Sequence, residues 1–268
     1  MNDSTFGKVR EYGKRIDFGK TAADYSRFRA GYPVELYRRL KAFGIGIAGQ
    51  SVLDLATGTG FLSREFARRG CHVAGIDLSL PLMLEASRLD HAAQVTSDYI
   101  RARVEELPFR DGAFDLVTAG QAWHWFERGR AAGEAYRVLR PRGALLIAHF
   151  DWVGLPGNVV EATEALIVKH NREWKLGGGT PGIYPHWPRD VALAGFREIE
   201  TFSFDVMSPY THEGWRGRIR ASAGIAAQLS SEQVEAFDQE LAELLATHFP
   251  QDPMGVHHRA FALVSRRD

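Results

Sequence analysis

What this chain lacks narrows its class before any motif is considered. It has one cysteine, Cys71, in 268 residues. No disulfide can form within it, and a reducing compartment is expected. No apolar run approaches the roughly 20 residues needed to cross a bilayer. The opening residues are polar and charged, not built around the apolar core of a secretory signal. A cytoplasmic location and no membrane partner are therefore expected. Neither sign of charge is in excess: 33 Lys and Arg balance 33 Asp and Glu. That removes the general attraction towards nucleic acid or anionic lipid, so no nucleic-acid partner is expected. Internal repeats and low-complexity tracts are missing. So is metal-ligand spacing: His248, His257 and His258 match no ligand pattern and no cysteine supports them, so no metal is expected. What remains is an ordinary globular composition, 45% hydrophobic and 25% charged. The length suits one large α/β domain or a domain with an inserted cap.

The stretch that organises the chain is Ser51-Val52-Leu53-Asp54-Leu55-Ala56-Thr57-Gly58-Thr59-Gly60. A short apolar run enters a glycine-rich turn, and residues 61–70 behind it read as a helix stopped by Gly70. Strand, tight turn and helix open a nucleotide-binding α/β unit. Glycine serves there because the backbone must turn sharply and let a ligand come close. The dinucleotide fingerprint needs a third glycine where this chain has Ser63. A second apolar strand, Cys71 to Asp77, ends in an acid roughly 20 positions after Gly58, the place of a ribose-binding carboxylate. A carboxylate there can accept both ribose hydroxyls. Ser79 is the better candidate for the cap of the next helix, with Pro81 in its first turn.

Read from Asp54, the turn has the form acidic-x-G-x-G-x-G with Ala56 in the first glycine slot. In that form it resembles motif I of the class I, Rossmann-like S-adenosylmethionine (SAM)-dependent methyltransferases. The resemblance continues through Ile100-Arg101-Ala102-Arg103-Val104-Glu105-Glu106-Leu107-Pro108-Phe109, similar to the family's third strand with its tail, and Arg110-Asp111-Gly112-Ala113-Phe114-Asp115-Leu116-Val117-Thr118-Ala119, similar to its turn and fourth strand. Gly120-Gln121-Ala122-Trp123-His124-Trp125-Phe126 is similar to the "Q-A-F-H-W-F" loop of its small-molecule branch, with Trp123 in the phenylalanine slot. The string 25–33 is similar to a segment that covers the cofactor's methionine end. The resemblance covers roughly residues 20 to 150.

It implies an α/β fold: a doubly wound, mostly parallel, seven-stranded sheet with an inserted helical and aromatic cap. The chain then divides into a lid arm and helix (1–45), a SAM-binding core (46–150), a substrate cap (151–195) and the rest of the sheet with its helices (196–268). Expected helices cover 128–139, 158–174, 211–227 and 231–249, and expected late strands cover 144–150, 196–206 and 256–264. The resemblance also implies the cofactor contacts. Asp54, Ala56, Thr57, Gly58, Thr59 and Gly60 form the turn, and Asp77 and Leu78 meet the ribose. Met83, Val104 and Glu105 lie by the adenine. Gln121 follows the fourth strand, and Tyr25 and Arg29 belong to the lid. The family often has Asp before the Val-Glu pair; here Arg103 stands there and cannot accept a hydrogen bond.

On the acceptor side stand Tyr32, Trp123, Trp125, Trp152, Tyr184, His186 and Trp187. All six tryptophans fall from Trp123 onward, which suggests a cyclic or apolar small molecule, as in secondary metabolism. His124 and His149 are the candidate bases, although a ring that only shapes its loop is the alternative for His124, since many methyl transfers need no base. The implied activity is in-line transfer of methyl from SAM (class EC 2.1.1), with S-adenosylhomocysteine as product, by a monomer or homodimer. Two rivals share the sheet: a nicotinamide-dependent oxidoreductase, and a SAM-binding protein with a cyclase-like or regulatory role.

Overall fold

The structure, a computed structural model, describes residues 27–28, 31–174, 181–226 and 228–268. The chain divides into two compact units. One comprises Gly31–His149, Tyr184–Ser203 and Ala260–Asp268; the other comprises Phe150–Ile183 and Phe204–Arg259, with Arg27 and Phe28. The strands are β1 (Ser51–Leu55), β2 (His72–Asp77), β3 (Asp98–Arg101), β4 (Phe114–Gly120), β5 (Leu139–Trp152), β6 (Arg197–Tyr210) and β7 (Met254–Arg266). They form one seven-stranded sheet in the order β3-β2-β1-β4-β5-β7-β6.

Four neighbouring pairs are parallel. β1 pairs with β2 from Ser51↔His72 to Leu55↔Ile76, and with β4 from Val52↔Leu116 to Leu55↔Ala119. β2 pairs with β3, and β4 with β5 as far as Gly120↔Ala148. β7 runs the other way beside β5. Arg142 and Gly143 bond to Arg267 at one point and Val153 to His257 at another, so numbers rise on one strand as they fall on the other. Strands covered on both faces need unbroken apolar runs, and Leu53, Leu55, Val117, Ala119, Leu145 and Ile147 are fully buried. Between β1 and β4 the strand order reverses, and ligands of such sheets bind outside the carboxyl ends at that point.

In the first unit α1 (Val34–Ala42), α2 (Phe61–Arg68), α3 (Leu80–Ala92) and α4 (Arg128–Val138) cover this sheet. α1 buries Leu36, Tyr37 and Leu40, the stripe its spacing predicts. β5 begins at Leu139, directly after α4, five residues earlier than the pattern predicts, because Leu139 already pairs with Phe114. Arg142 lies in this early part at φ 66. That left-handed conformation costs an arginine about 1–2 kcal/mol. Its guanidinium bonds Glu198 at 2.7 Å.

The second unit carries α5 (Val159–His170), α7 (His212–Arg220) and α8 (Ser231–His248); α6 (Trp187–Leu193) belongs to the first. Asn158 caps α5, accepting the Glu161 N–H at 2.9 Å. α5 stops at His170, short of Trp174, and the buried Asn171 amide instead donates to the Gly224 carbonyl at 2.8 Å. α7 stops at Arg220, not at 227. The turn beyond it brings Gly224 so close to Trp174 that a Cβ would lie 2.9 Å from the indole. Val160, Ile167, Trp215, Ile219, Phe237, Leu241, Leu245 and Val256 form this unit's core.

Candidate active site

The glycine-rich turn is held from below by Asp54, which is 2% exposed. Its Oδ1 accepts the Thr118 hydroxyl at 2.7 Å, and its Oδ2 accepts those of Thr57 at 2.8 Å and Ser63 at 2.9 Å. Burial pushes the Asp54 carboxyl up, against the three hydroxyls that favour its charged form. Ser63, which breaks the dinucleotide pattern, thus serves the turn. The Thr57 N–H donates to the Ile76 carbonyl at 2.8 Å and ties the turn to β2. Ala56, Gly58 and Gly60 are left-handed, with φ of 51, 57 and 76. Gly75 must lack a side chain, because a Cβ would come within 2.9 Å of both Thr57 and Tyr99.

At the end of β2 the Asp77 carboxylate accepts the Gly58 N–H at 2.9 Å and the Ser79 N–H at 2.8 Å. Burial raises its pKa, partly offset by these amides. Ser79 occupies the cap position of α3, but its side chain bonds none of the first-turn amides. Behind the turn lies a buried polar network with no local signal in the sequence. Arg64 Nε pairs with Asp90 Oδ1 at 3.0 Å, its Nη2 donates to the Thr59 carbonyl at 2.6 Å, and the Tyr99 hydroxyl donates to Asp90 at 2.8 Å.

The carboxyl ends of β4 and β5 meet at the Ala148 carbonyl. It accepts the Tyr32 hydroxyl at 2.9 Å and the Gln121 N–H at 2.9 Å. Gly120 is the fitting residue beside them, since a Cβ would press on Leu62 at 2.7 Å and on the Tyr32 hydroxyl at 3.0 Å. Next comes the short 3-10 turn Trp123–Trp125. Trp123 turns inward, 0% exposed, with Phe126 edge-on at 5.8 Å, so it is part of the core and not an open wall. His124 and Trp125 remain half-buried, their rings 4.6 Å apart and tilted by 46°.

His149 joins this group. It is 1% exposed, with the His124 ring 5.3 Å away, edge to face. Its Nδ1 shares a 3.0 Å hydrogen bond with the Tyr184 hydroxyl. Tyr184 stacks on Trp187 at 3.7 Å and 8°, and Phe261 meets both rings edge-on. The structure therefore brings His124, Trp125, His149, Tyr184 and Trp187 together from three separate segments. Trp187, 2% exposed, is core, while His186 is exposed at the start of α6.

The other candidates fall elsewhere. Leu78 is 55% exposed beside Asp77, and Met83 is buried in α3. Val104 is buried, and Glu105 accepts the Glu127 N–H at 3.2 Å while Arg103 lies 3.5 Å from its carboxylate. Trp152 belongs to the second unit, where its indole N–H donates to Glu164 at 2.7 Å and Arg218 lies over its ring. Tyr25 and Arg29 lie outside the described residues. Among the described residues no group of three His, Cys, Asp or Glu could hold a metal ion, and no helix is long and apolar enough to cross a membrane.

Comparison with known proteins agrees with this geometry. Residues 53–147 match the family model described as a methyltransferase domain. An uncharacterized methyltransferase of Mycobacterium bovis is 38% identical over 130 residues, 48% of this chain and 50% of that protein. The malonyl-[acyl-carrier protein] O-methyltransferase of Pectobacterium atrosepticum is 37% identical over 188 residues, 67% of this chain and 66% of that protein. The chain thus spans about half the length of the mycobacterial relative. Among solved structures, phosphoethanolamine N-methyltransferase 2 of Haemonchus contortus, in complex with phosphomonomethylethanolamine and S-adenosylhomocysteine, superposes with a TM-score of 0.57 at 21% identity, covering 97% of this chain and 60% of that one. Strand order, glycine turn and family match converge: the domain of residues 53–147 belongs to the class I, Rossmann-like SAM-dependent methyltransferases.

Proposed function

We propose that this protein binds SAM and transfers its methyl group to a small-molecule acceptor, releasing S-adenosylhomocysteine. The observation that carries the reading is the Asp77 carboxylate, bonded to the Gly58 amide at the reversal of strand order. The residues fit the cofactor. A Cβ at Gly58 would meet nothing within 4 Å, so the face of the turn is open to a ligand. Asp77 spends one lone pair on each of two amides and keeps acceptor capacity for two ribose hydroxyls. When bound, SAM supplies a methyl group on a positively charged sulfur.

The chain's own groups do the rest. Asp54, Thr57 and Ser63 hold the turn, and Thr59 is fixed through Arg64. Leu78 offers apolar surface beside the ribose site. The adenine edge falls to the Glu105 carboxylate, which among the described residues accepts only the Glu127 amide, or to the backbone of Val104 and Glu105. Gln121 and Tyr32, joined at Ala148, stand at the sheet end. Rate would come from holding the acceptor at near-attack distance in a dry pocket. The name of the Pectobacterium relative, an O-methyltransferase, supports an oxygen acceptor.

Calorimetric titration with S-adenosylhomocysteine tests the reading on wild type and Asp77→Ala. Wild type binds, and the variant loses on the order of a hundredfold in affinity, about 3 kcal/mol. Failure of wild type to bind, or equal binding of NAD(H), sinks it. A labelled methylated product separates a transferase from a protein that only binds SAM.

A further inference from the structure

We propose that Arg64, Asp90 and Tyr99 are positioning residues for the cofactor: their buried network holds the glycine turn in its binding conformation before the ligand arrives. This deepens the SAM-binding reading above and rests on it. The turn itself is the first ground. Ala56, which carries a Cβ, is left-handed at φ 51, and Gly58 and Gly60 are left-handed after it. The Thr59 hydroxyl is buried and makes no hydrogen bond among the described residues. Both features cost free energy, and the glycines let the backbone leave such a conformation readily. A turn of this kind persists only where its surroundings hold it.

One residue grips it. The Arg64 backbone N–H donates to the Gly60 carbonyl at 2.9 Å, and its side-chain Nη2 donates to the Thr59 carbonyl at 2.6 Å. The same Nη2 reaches the Ala86 carbonyl of α3 at 3.4 Å, so α2, the turn and α3 meet at one guanidinium. Tyr99, from β3, fills the space behind. A Cβ at Gly60 would lie 2.6 Å from its hydroxyl, and a Cβ at Gly75 would lie 2.9 Å from its ring. That hydroxyl donates to Asp90 Oδ2 at 2.8 Å.

Stability does not account for the network. Arg64 Nε and Asp90 Oδ1 are 3.0 Å apart, but the N–H is out of line for a hydrogen bond. Apolar side chains in place of a buried ion pair are often as stable or more stable. What they cannot do is donate to the Thr59 carbonyl. With that carbonyl released, the peptide between Thr59 and Gly60 can turn over, and only a fraction of the molecules present the turn that binds. Apparent affinity falls by that fraction. The complex, once formed, is held by its own contacts. The loss therefore belongs to the association rate and not to the dissociation rate.

Surface-plasmon kinetics of S-adenosylhomocysteine on full-length protein test this, with thermal denaturation alongside. Arg64→Lys keeps the charge beside Asp90 but not the fork of donors. It lowers affinity about tenfold, all of it in the association rate. Tyr99→Phe keeps the ring and loses the bond to Asp90, and it slows association about threefold. The double variant Arg64→Met with Asp90→Leu removes the pair without stranding a charge. It keeps or raises Tm, yet it associates about tenfold more slowly. The Gly60 N–H, which donates to the Thr57 carbonyl, exchanges faster than wild type in each free variant and at the wild-type rate in each complex. Wild-type association by the double variant overturns the positioning role, as does a loss confined to the dissociation rate. Should the double variant fail to fold, Arg64→Lys and Tyr99→Phe carry the same measurements, and unchanged association in both overturns the role. Failure of wild type to bind S-adenosylhomocysteine would instead mark failure of the SAM-binding reading itself.

Discussion

His258 is the residue on which acid sensitivity turns. It is 2% exposed, stacked on Phe150 at 4.9 Å and on Tyr210 at 5.8 Å, with Nδ1 3.0 Å from the Val256 carbonyl. Burial holds its pKa down, from 6.5 to about 4. The unfolded chain takes up this proton near 6.5, whereas the folded chain takes it up only near 4. The stabilisation is therefore complete above pH 6.5 and is lost as pH falls towards 4, about 3 kcal/mol in all. Urea unfolding at pH 7 and pH 4.5 checks this. His258→Gln, which can still donate to Val256, should show a much smaller difference between the two. Asp54 and Asp77 carry the opposite sign. Burial raises both, so their contribution is present at acid pH and lost as pH rises through their folded values.

At the scale of elements, capping explains where the helices begin. The last helix begins at Ser231, as expected, and its cap is Ser230. The Ser230 hydroxyl accepts the Gln233 N–H and the Gln233 side chain accepts the Ser230 N–H. The reciprocal bond with the third helical residue makes Ser230 the cap. Ser230→Ala should cost about 1 kcal/mol, read as a lower urea midpoint and faster amide exchange in the first turn of α8. The helix-turn-strand order of the core was legible because each element carries its own period and its own stop. The ends of α5 and α7 were not, because Gly224 packing under Trp174 terminates that region, and the two residues are far apart in the chain.

For the whole molecule, ligand binding and stability are linked. At a hundredfold excess over its Kd, S-adenosylhomocysteine should stabilise the protein by about 2.7 kcal/mol, a rise of roughly 5–10 °C in Tm. Thermal denaturation with and without the ligand checks this. Asp77→Ala should show little of the rise at the same concentration, and NAD(H) should give none to wild type.

The sequence by itself determined the α/β class, the glycine turn, the acid at the end of β2 and the methyltransferase resemblance. These depend on short-range features: apolar runs, left-handed positions and fixed spacings within one strand-turn-helix unit. Tertiary structure alone decided which side chains share a site. Thr118 reaches Asp54 across 64 residues, Tyr184 reaches His149 across 35, and Tyr32 reaches Ala148 across 116. It also sent Trp123 and Trp187 into the core while leaving His124 and Trp125 half-buried. The physical reason is that strand register and side-chain packing bring distant segments together, and no local period records which neighbours they will meet.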